Sequence, residues 1–353
     1  MPETLLLRAD QPGHIQRAAE ILRRGGLVAF PTETVYGLGA SALSREAVGK
    51  IFEAKQRPAW DPLIVHIADP LQIKEITRLQ AELATRVRLL SNAFWPGPLT
   101  LLLPRTAVIP DEVTAGRPLV GLRWPSHPVA QALLRAAGVP VAAPSANRFG
   151  HVSPTTAQHV LHDLDGRIDA VLDGGATTVG IESTVLDPTQ TPMMLYRAGA
   201  VTPEMLRQIG LETSVFQAAV SGSVTPASLP SPGVGMRHYA PTVQLMLTGP
   251  SAVQLGREIE VARAQGIGPV GVLLPRDWER DHLEVSETGV NDTELVIQFW
   301  GRWDDPNALA SELFAGLRAL EMTGVAVIVC PLPEPGNMRD ALRDRLLKAA
   351  RPR

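Results

Sequence analysis

The stretch "VAAPSANRFGHVSP", Val141 to Pro154, combines the two signals that organise this chain. A short apolar run ends at Pro144, and small polar residues follow it directly. Ser153 is a preferred N-cap residue and Pro154 suits the first position of a helix, so we expect a strand, a polar turn and a helix start. A helix N-terminus presents free backbone N–H groups to an anion. The stretch therefore predicts a phosphate-binding turn, with ordinary turn and capping chemistry as the alternative.

Working outward from this stretch, residues 1–210 alternate helical and strand patterns. The segment "HIQRAAEILRRGG" repeats apolar residues at helical spacing and stops at Gly25 and Gly26, and "LVAFPTET" after it is typical of a buried strand. One long helical region is expected from about Gln72 to Ala93. The alternation predicts an α/β fold, and we place a first domain at residues 1–210.

The pattern changes after Gly210. Residues 211–241 are rich in Ser, Pro and Gly without a sustained period, and they predict a linker. From Thr242 onward the chain has strand patterns at "VQLMLTG", "PVGVLLP", "ELVIQFW" and "VAVIVCPL". Helical patterns lie near 251–265, 306–323 and 337–350. Residues 242–353 therefore predict a second domain with a parallel α/β layer.

The composition sets limits on the class of protein. The 353 residues are 45% hydrophobic and 20% charged, which is typical of a globular chain. A net charge of −3 excludes a molecule that is basic overall, although a local basic surface stays open. The single cysteine, Cys330, excludes a disulfide framework, and its apolar surroundings predict a buried thiol. No secretion signal or membrane-length apolar segment stands out, so we expect a cytoplasmic protein.

The usual nucleotide-binding signatures are missing, since neither G-x-x-x-x-G-K-[ST] nor G-x-G-x-x-G occurs. Polar clusters instead lie at the ends of apolar runs. They are "PTETVYGLGA" at 31–40, "KQRPAWDPLIVH" at 55–66, "VGLRWP" with the opening stretch, and "GIESTVLDP" with the "RAG" at 197–199. Each cluster alone is compatible with a local turn, a helix cap or a salt bridge.

Four cations make the conjunction of these clusters informative. Lys55 and Arg57 lie at the end of a predicted helix. Arg123 lies inside a predicted apolar strand, and Arg197 ends another strand. A buried arginine needs an anion, which is either a structural carboxylate or a ligand. A fork-shaped guanidinium suits carboxylate and phosphate alike. The four together predict an anionic ligand with two charged ends, a carboxylate and a triphosphate.

These motifs resemble the YrdC-like threonylcarbamoyl-AMP synthases. "PTETVYGLGA", "KQRP", "PLIVHI", "WPGPLT", "PSAN", "SPTTA" and "GIESTV" match that family in order over residues 10–210, and "SPGVGMRHYAP" with the second domain resembles its long two-domain form. The resemblance implies an α/β fold in which a twisted mixed sheet with helices is followed by a smaller Rossmann-like parallel α/β domain.

The resemblance also implies a reaction. L-Threonine, bicarbonate or CO₂, and ATP with Mg²⁺ would give threonylcarbamoyl-adenylate and pyrophosphate. A separate tRNA threonylcarbamoyl transferase would receive the intermediate for modification of a tRNA adenosine, and direct contact with tRNA stays open. Catalysis would consist of positioning and charge neutralisation by Lys55, Arg57, Arg197 and Mg²⁺. No metal ligand of the protein itself is implied.

Residue roles carry over only as the resemblance implies them. Lys55 and Arg57 would be catalytic. L-Threonine would contact Thr34, His66, Arg123, the backbone of Ala143, and Ser183. ATP would contact Lys55, Arg57, Asp61, Ser145, Asn147, Ser153, Arg197 and Tyr239. The linker, notably His238 and Tyr239, would fold over the site as a lid.

The chain departs from the motifs of the family at three positions. Asp61 stands where the family usually has Asn before "PLIVH", Ala198 replaces the proline of "RPG", and Met236 stands where a Tyr is frequent. An aspartate near phosphate would repel it unless Mg²⁺ intervened.

Two other functions compete with this interpretation. A carbamoyltransferase that forms carbamoyl-adenylate is the enzymatic alternative, but chains of that kind carry additional modules, some of them rich in cysteine, and this chain has one cysteine. A non-catalytic RNA-binding module is the other alternative. It leaves the hydroxyls of Thr34 and Ser183 without a purpose.

Overall fold

The computed structural model describes residues 3–217, 230–231, 239–278 and 295–351. The chain divides into two compact units. The first comprises Met1–Phe149, Ser153–Thr178 and Glu182–Gly235, and the second comprises Gly150–Val152, Val179–Ile181 and Met236–Arg353. Two three-residue segments from within the first 210 residues therefore belong to the second unit.

The first unit is built on a mixed sheet of eleven strands. In chain order they are β1 Leu5–Arg8, β2 Val28–Pro31, β3 Tyr36–Ser41, β4 Ile64–His66, β5 Leu99–Pro104, β6 Leu119–Arg123, β7 Val141–Ala142, β8 Ala170–Asp173, β9 Thr184–Asp187, β10 Met193–Arg197 and β11 Thr213–Val215. The spatial order is β1-β8-β2-β3-β7-β4-β6-β5-β9-β10-β11. Parallel and antiparallel pairs alternate irregularly, so the predicted mixed sheet is confirmed.

Helices connect these strands. They are α1 His14–Arg23, α2 Arg45–Lys55, α3 Ile73–Ile76, α4 Ala81–Phe94, α5 Asp111–Thr114, α6 Pro128–Ala137, α7 Ala157–Leu164 and α8 Pro203–Gln208, with a short 3₁₀ turn at Pro70–Gln72. Side chains cap the starts of α2, α6, α7 and α8. Ser44 caps α2 by accepting from the backbone of Ala47, and Thr202 caps α8 ahead of Pro203.

The central strands are buried on both faces. Along β2, Val28 and Phe30 pack into one apolar cluster with Leu133, whereas Ala29 between them packs into a second cluster with Ile51. Neighbouring residues of a strand point to opposite faces, so the sheet is covered on both sides. The ends of these strands are then the places where polar side chains can gather.

Two expectations for this unit were wrong. The helix predicted to start at Ser153 begins at Ala157, because Thr156 accepts from the backbone of His159 and caps it. The long helix expected near 72–93 is interrupted, since Thr77 is extended after α3. The predicted linker begins with β11, which pairs in parallel with β10. Of the rest of the linker, only residues 230–231 and 239–241 lie among the described residues.

The described residues of the second unit form a parallel sheet of four strands. Its strands are β12 Gln244–Thr248, β13 Val270–Pro275, β14 Leu295–Trp300 and β15 Val327–Pro331, in the order β12-β15-β13-β14. Its helices are α9 Ala252–Ala264, α10 Pro306–Met322 and α11 Met338–Ala349. The predicted parallel layer is confirmed, and Cys330 is buried in β15 as expected. None of the helices in the described ranges is long and apolar enough to cross a membrane.

Candidate active site

A turn after β2 presents the first group of polar side chains. The hydroxyl of Thr32 accepts from the backbone N–H of Thr34 and of Val35 and donates to the carbonyl of Val35. A hydroxyl that bonds its own backbone in this way fixes a tight turn. Thr34 is buried within it and is bonded to the Thr32 hydroxyl at 2.8 Å.

Arg123, at the end of β6, faces this turn. Its Nη2 lies 2.7 Å from Oε1 of Glu33, and its Nη1 donates to the Thr34 hydroxyl at 2.9 Å. Its Nε donates to the carbonyl of Gly97. Both side chains of the ion pair are less than a tenth exposed. The sequence argument that Arg123 must meet an anion is therefore confirmed, and the anion in the protein itself is Glu33.

His66 ends β4 and lies opposite Arg123 in the parallel ladder to β6. It is buried, and that burial, helped by the charge of Arg123, lowers the pKa of His66 to about 3. Its Nδ1 has no hydrogen-bond partner among the described residues. A neutral imidazole with an unsatisfied buried nitrogen costs free energy until a ligand satisfies it. Glu33, Thr34, His66 and Arg123 are called the Arg123 cluster below.

Ser183 precedes β9 and connects two neighbouring strands. Its Oγ lies 2.8 Å from the hydroxyl of Thr100 in β5, and Arg197 donates from Nη2 to the same Oγ at 3.1 Å. The Nε of Arg197 donates to the Ser183 carbonyl at 2.9 Å. Gly199 permits this approach, because a Cβ there would stand 2.4 Å from the backbone nitrogen of Thr184.

The C-terminus of α2 supplies the other cations. Lys55 is buried, and its Nζ donates to the carbonyl of Ser145 at 2.6 Å and to that of Asn147. The guanidinium of Arg57 donates to the carbonyls of Asp61 and Pro62 at 3.2 and 2.9 Å. The polar turn after β7 is thus attached to the helix terminus by a lysine.

Asp61 lies among these cations. It has no exposed surface, and its Oδ2 is 2.9 Å from Nη2 of Arg57. Burial raises the pKa of Asp61, while the charges of Arg57, Lys55 and Arg197 act to lower it. Three cations, two from the end of α2 and one from the end of β10, therefore act on this carboxyl group. Lys55, Arg57, Asp61 and Arg197 are called the Asp61 cluster.

The remaining predicted residues are distributed around these clusters. The side-chain nitrogen of Asn147 donates to the carbonyl of Arg148, and the hydroxyl of Ser153 donates to Glu182 instead of capping a helix. The backbone N–H of Ala143 donates to the carbonyl of Ile64 at 2.8 Å.

Tyr239 belongs to the second unit. There its ring stacks on Phe314, with centroids 5.7 Å apart, and the guanidinium of Arg345 lies 5.1 Å from the ring centre. Its contact with nucleotide stays a prediction, and His238 lies outside the described residues.

Comparison with known proteins identifies the family. The Sua5–YciO–YrdC model, described as telomere recombination, matches residues 20–199, and the model of the threonylcarbamoyl-AMP synthase C-terminal domain matches residues 201–351. The threonylcarbamoyl-AMP synthase of Pyrococcus abyssi is 40% identical, with 95% of this chain and 94% of the relative covered. The Bacillus subtilis protein of the same name is 41% identical, with coverage of 95% and 92%. This chain belongs to the two-domain Sua5 form of the threonylcarbamoyl-AMP synthase family.

Solved structures agree with this assignment of family and fold. Pyrococcus abyssi Sua5 complexed with L-threonine has a TM-score of 0.86 and 38% identity, with 98% of this chain and 97% of that chain covered. The resemblance inferred from the motifs is confirmed, and the chain is an enzyme of the threonylcarbamoyl-AMP synthase type.

Sequence reasoning missed one buried hydroxyl among the described residues of the candidate site. Thr100 interrupts the apolar run "LTLLLP" in β5 and meets Ser183, 83 residues later in the chain. A polar residue inside a buried strand was the available signal, since buried hydroxyls need partners. Glu33 was noticed in its motif, but its pairing with Arg123 was not specified.

Proposed function

We propose that this enzyme condenses L-threonine, bicarbonate or CO₂, and ATP into threonylcarbamoyl-AMP and pyrophosphate. The observation that carries the proposal is a row of polar side chains across the neighbouring strands β4, β6, β5, β9 and β10. The row consists of His66, Arg123, Thr100, Ser183 and Arg197. It begins in the Arg123 cluster and ends in the Asp61 cluster, so one ligand pair can contact both.

The Arg123 cluster and Ser183 are proposed to hold L-threonine. The hydroxyls of Thr34 and Ser183 and the neutral imidazole of His66 suit a small polar ligand, and the guanidinium of Arg123 keeps N–H groups beyond those used for Glu33, Thr34 and Gly97. Because the N–H of Ala143 is bonded to Ile64, its carbonyl would be the backbone group for the ligand. The Pyrococcus abyssi relative was solved in complex with L-threonine, which supports threonine as a substrate.

The Asp61 cluster is proposed to hold the phosphates of ATP. Lys55, Arg57 and Arg197 supply three positive charges, and Ser145, Asn147 and Ser153 lie in the polar segments beside them. Cations fixed in a water-poor site stabilise the charge that develops during phosphoryl transfer. Lys55 and Arg57 would act directly on the reacting phosphates.

The reaction can then proceed without a covalent intermediate on the enzyme. The neutral amine nitrogen of threonine forms a bond to the carbon of CO₂ and loses a proton, which yields a carbamate. A carbamate oxygen then bonds to the α-phosphorus of ATP, and the bond from that phosphorus to the bridging oxygen of pyrophosphate breaks. The protein contributes alignment of the two substrates and neutralisation of charge.

Magnesium is proposed to enter with ATP. The described residues offer no group of three or more His, Cys, Asp or Glu side chains that could hold a metal ion. Asp61 does not suit the ion either, because it is paired with Arg57 and acted on by two further cations. We therefore assign no step to a magnesium ion held by the protein.

The product also suggests where the enzyme acts. A mixed anhydride of a carbamate and a phosphate reacts readily with water, so a separate transferase must take it up for tRNA modification. We propose that this transfer takes place in the cytoplasm, and direct contact of the enzyme with tRNA stays open.

Pyrophosphate release tests the proposed function. The purified full-length chain would be given MgATP with threonine and bicarbonate, singly and together. We expect release only when both are present. Release without threonine would contradict the proposal in favour of carbamoyl-adenylate chemistry or plain ATP hydrolysis. No release under any condition would contradict it in favour of a binding module.

A further inference from the structure

Asp61 occupies the position that a phosphate of the nucleotide would seek. Its carboxylate lies 2.9 Å from Nη2 of Arg57, and both side chains are almost completely buried. The same guanidinium is held by two backbone carbonyls of the following loop, those of Asp61 and Pro62. The loop that follows α2 therefore holds the Arg57 guanidinium with two carbonyls and one carboxylate, and a phosphate that bound this guanidinium would compete with Asp61.

The charge on Asp61 depends on the cations around it. Among the described residues, the groups that act on it are Arg57 and Lys55 from the end of α2 and Arg197 from the end of β10. They favour its carboxylate form, whereas burial opposes it. Phosphates that bind to these cations would cancel their effect on Asp61 and add negative charge nearby. The carboxylate form would then lose its support.

We propose that Asp61 is an internal competitor of the nucleotide and accepts a proton when ATP binds. The proton adds to a carboxylate oxygen of Asp61, and the guanidinium of Arg57 is released to the phosphates. This inference rests on the proposed ATP site and deepens it. ATP affinity then weakens as the pH rises, by up to tenfold per pH unit over the range in which Asp61 ionises in the free enzyme.

Calorimetric titration of the full-length chain with ATP tests the coupling. ATP would be titrated without threonine, in buffers of equal pH and different ionisation enthalpy, at several pH values. We expect the wild-type chain to take up as much as one proton more per bound ATP than Asp61→Asn. We also expect Asp61→Asn to bind ATP about tenfold more tightly at pH 8, with a smaller advantage at low pH.

Asp187→Asn is the matched control. Asp187 is also buried, but its carboxylate accepts hydrogen bonds from Thr189 and Gln190. We expect this variant to show the proton uptake of the wild type. Equal uptake and a pH-independent affinity ratio for wild type and Asp61→Asn would overturn the proposal.

Infrared difference spectroscopy on the wild-type chain keeps the test valid should Asp61→Asn fail to fold. Addition of ATP should produce the stretch of a newly protonated carboxyl group, and its absence would overturn the proposal. The proposed function can be contradicted without contradicting this inference. ATP binding that is coupled to proton uptake, but without threonine-dependent release of pyrophosphate, would contradict only the proposed reaction. A chain that binds no ATP would contradict both.

Discussion

The Arg123 cluster and the Asp61 cluster both bury charge, but in different proportions. In the Arg123 cluster one guanidinium faces one carboxylate, and His66 is neutral. In the Asp61 cluster three cations act on one carboxyl group. Because an unbalanced buried charge is costly, a balanced cluster suits a zwitterion such as an amino acid, and a surplus of cations suits a polyanion. The charge count among the described residues thus supports the proposal that the Arg123 cluster holds threonine and the Asp61 cluster holds the nucleotide.

Loss of Arg57 should have the largest effect, because it reduces the cation surplus at the nucleotide end. We expect Arg57→Ala to lower threonine-dependent pyrophosphate release by about 10²–10³-fold. Arg57→Lys should fall between this variant and the wild type, since it keeps the charge but loses the planar fork. Arg78→Ala, at an exposed position, is the control. Normal turnover by Arg57→Ala would contradict the assignment of this cluster.

Removal of the Glu33 carboxylate should disturb the charge balance of the Arg123 cluster. We expect Glu33→Ala to lower the free energy of unfolding by about 3 kcal/mol, because it leaves Arg123 buried without its partner. Denaturation by urea would measure the loss. The double variant Glu33→Leu with Arg123→Met removes both charges and should recover most of it. Equal losses in the single and double variants would show that packing, not charge balance, matters here.

The neutrality of His66 makes the threonine end sensitive to acid. Its pKa is about 3 in the folded chain and 6.5 ordinarily, so the unfolded chain binds the proton more readily. The contribution of His66 is therefore complete above about pH 6.5 and is lost as the pH falls towards 3. At pH 5 the loss should amount to about 2 kcal/mol. Urea denaturation at pH 5 and pH 7.5 should show it in the wild type and in His162→Gln, an exposed control.

His66→Gln should show a smaller difference between these two pH values than the wild type does. If both chains lose the same free energy of unfolding at pH 5, then His66 is not the group that binds the proton.

A substitution in the row of polar side chains that joins the two clusters should have the smallest effect. Thr100→Val keeps the shape of the side chain and removes its bond to Ser183. We expect the KM for threonine to rise by about 3- to 10-fold, the equivalent of one hydrogen bond, with kcat and the KM for ATP nearly unchanged. Thr100→Ser should restore the wild-type value. A parallel rise in both KM values, or no rescue by serine, would indicate a general packing defect.

Local sequence chemistry predicted much of the fold but could not choose between similar signals. Thr202 with Pro203 and Ser153 with Pro154 are equivalent pairs, yet only the first begins a helix. The hydroxyl of Ser153 donates to Glu182, 29 residues later, and Thr156 takes over as the cap. A partner supplied by the folded chain thus outcompeted a local preference. The three-residue strand β11 was missed because it is too short to show a period.

The residue types of the candidate site were predictable, and their pairings were not. The need of Arg123 for an anion follows from its apolar strand, but Glu33 lies 90 residues away and becomes its partner only when β2 and β6 join one sheet. Asp61 was noticed as a departure from the family pattern. Its complete burial among three cations depends on β10, far along the chain, and could only be seen in the structure.

The attachment of Lys55 to two carbonyls has a consequence for the survival of the enzyme itself. The mixed anhydride proposed as the product is an acylating agent, and a neutral amine beside it would be modified irreversibly. The Nζ of Lys55 donates to the carbonyls of Ser145 and Asn147, and these two bonds hold the amine against the polar turn. We expect this attachment to keep the lysine of the proposed phosphate site from becoming a target of its own product.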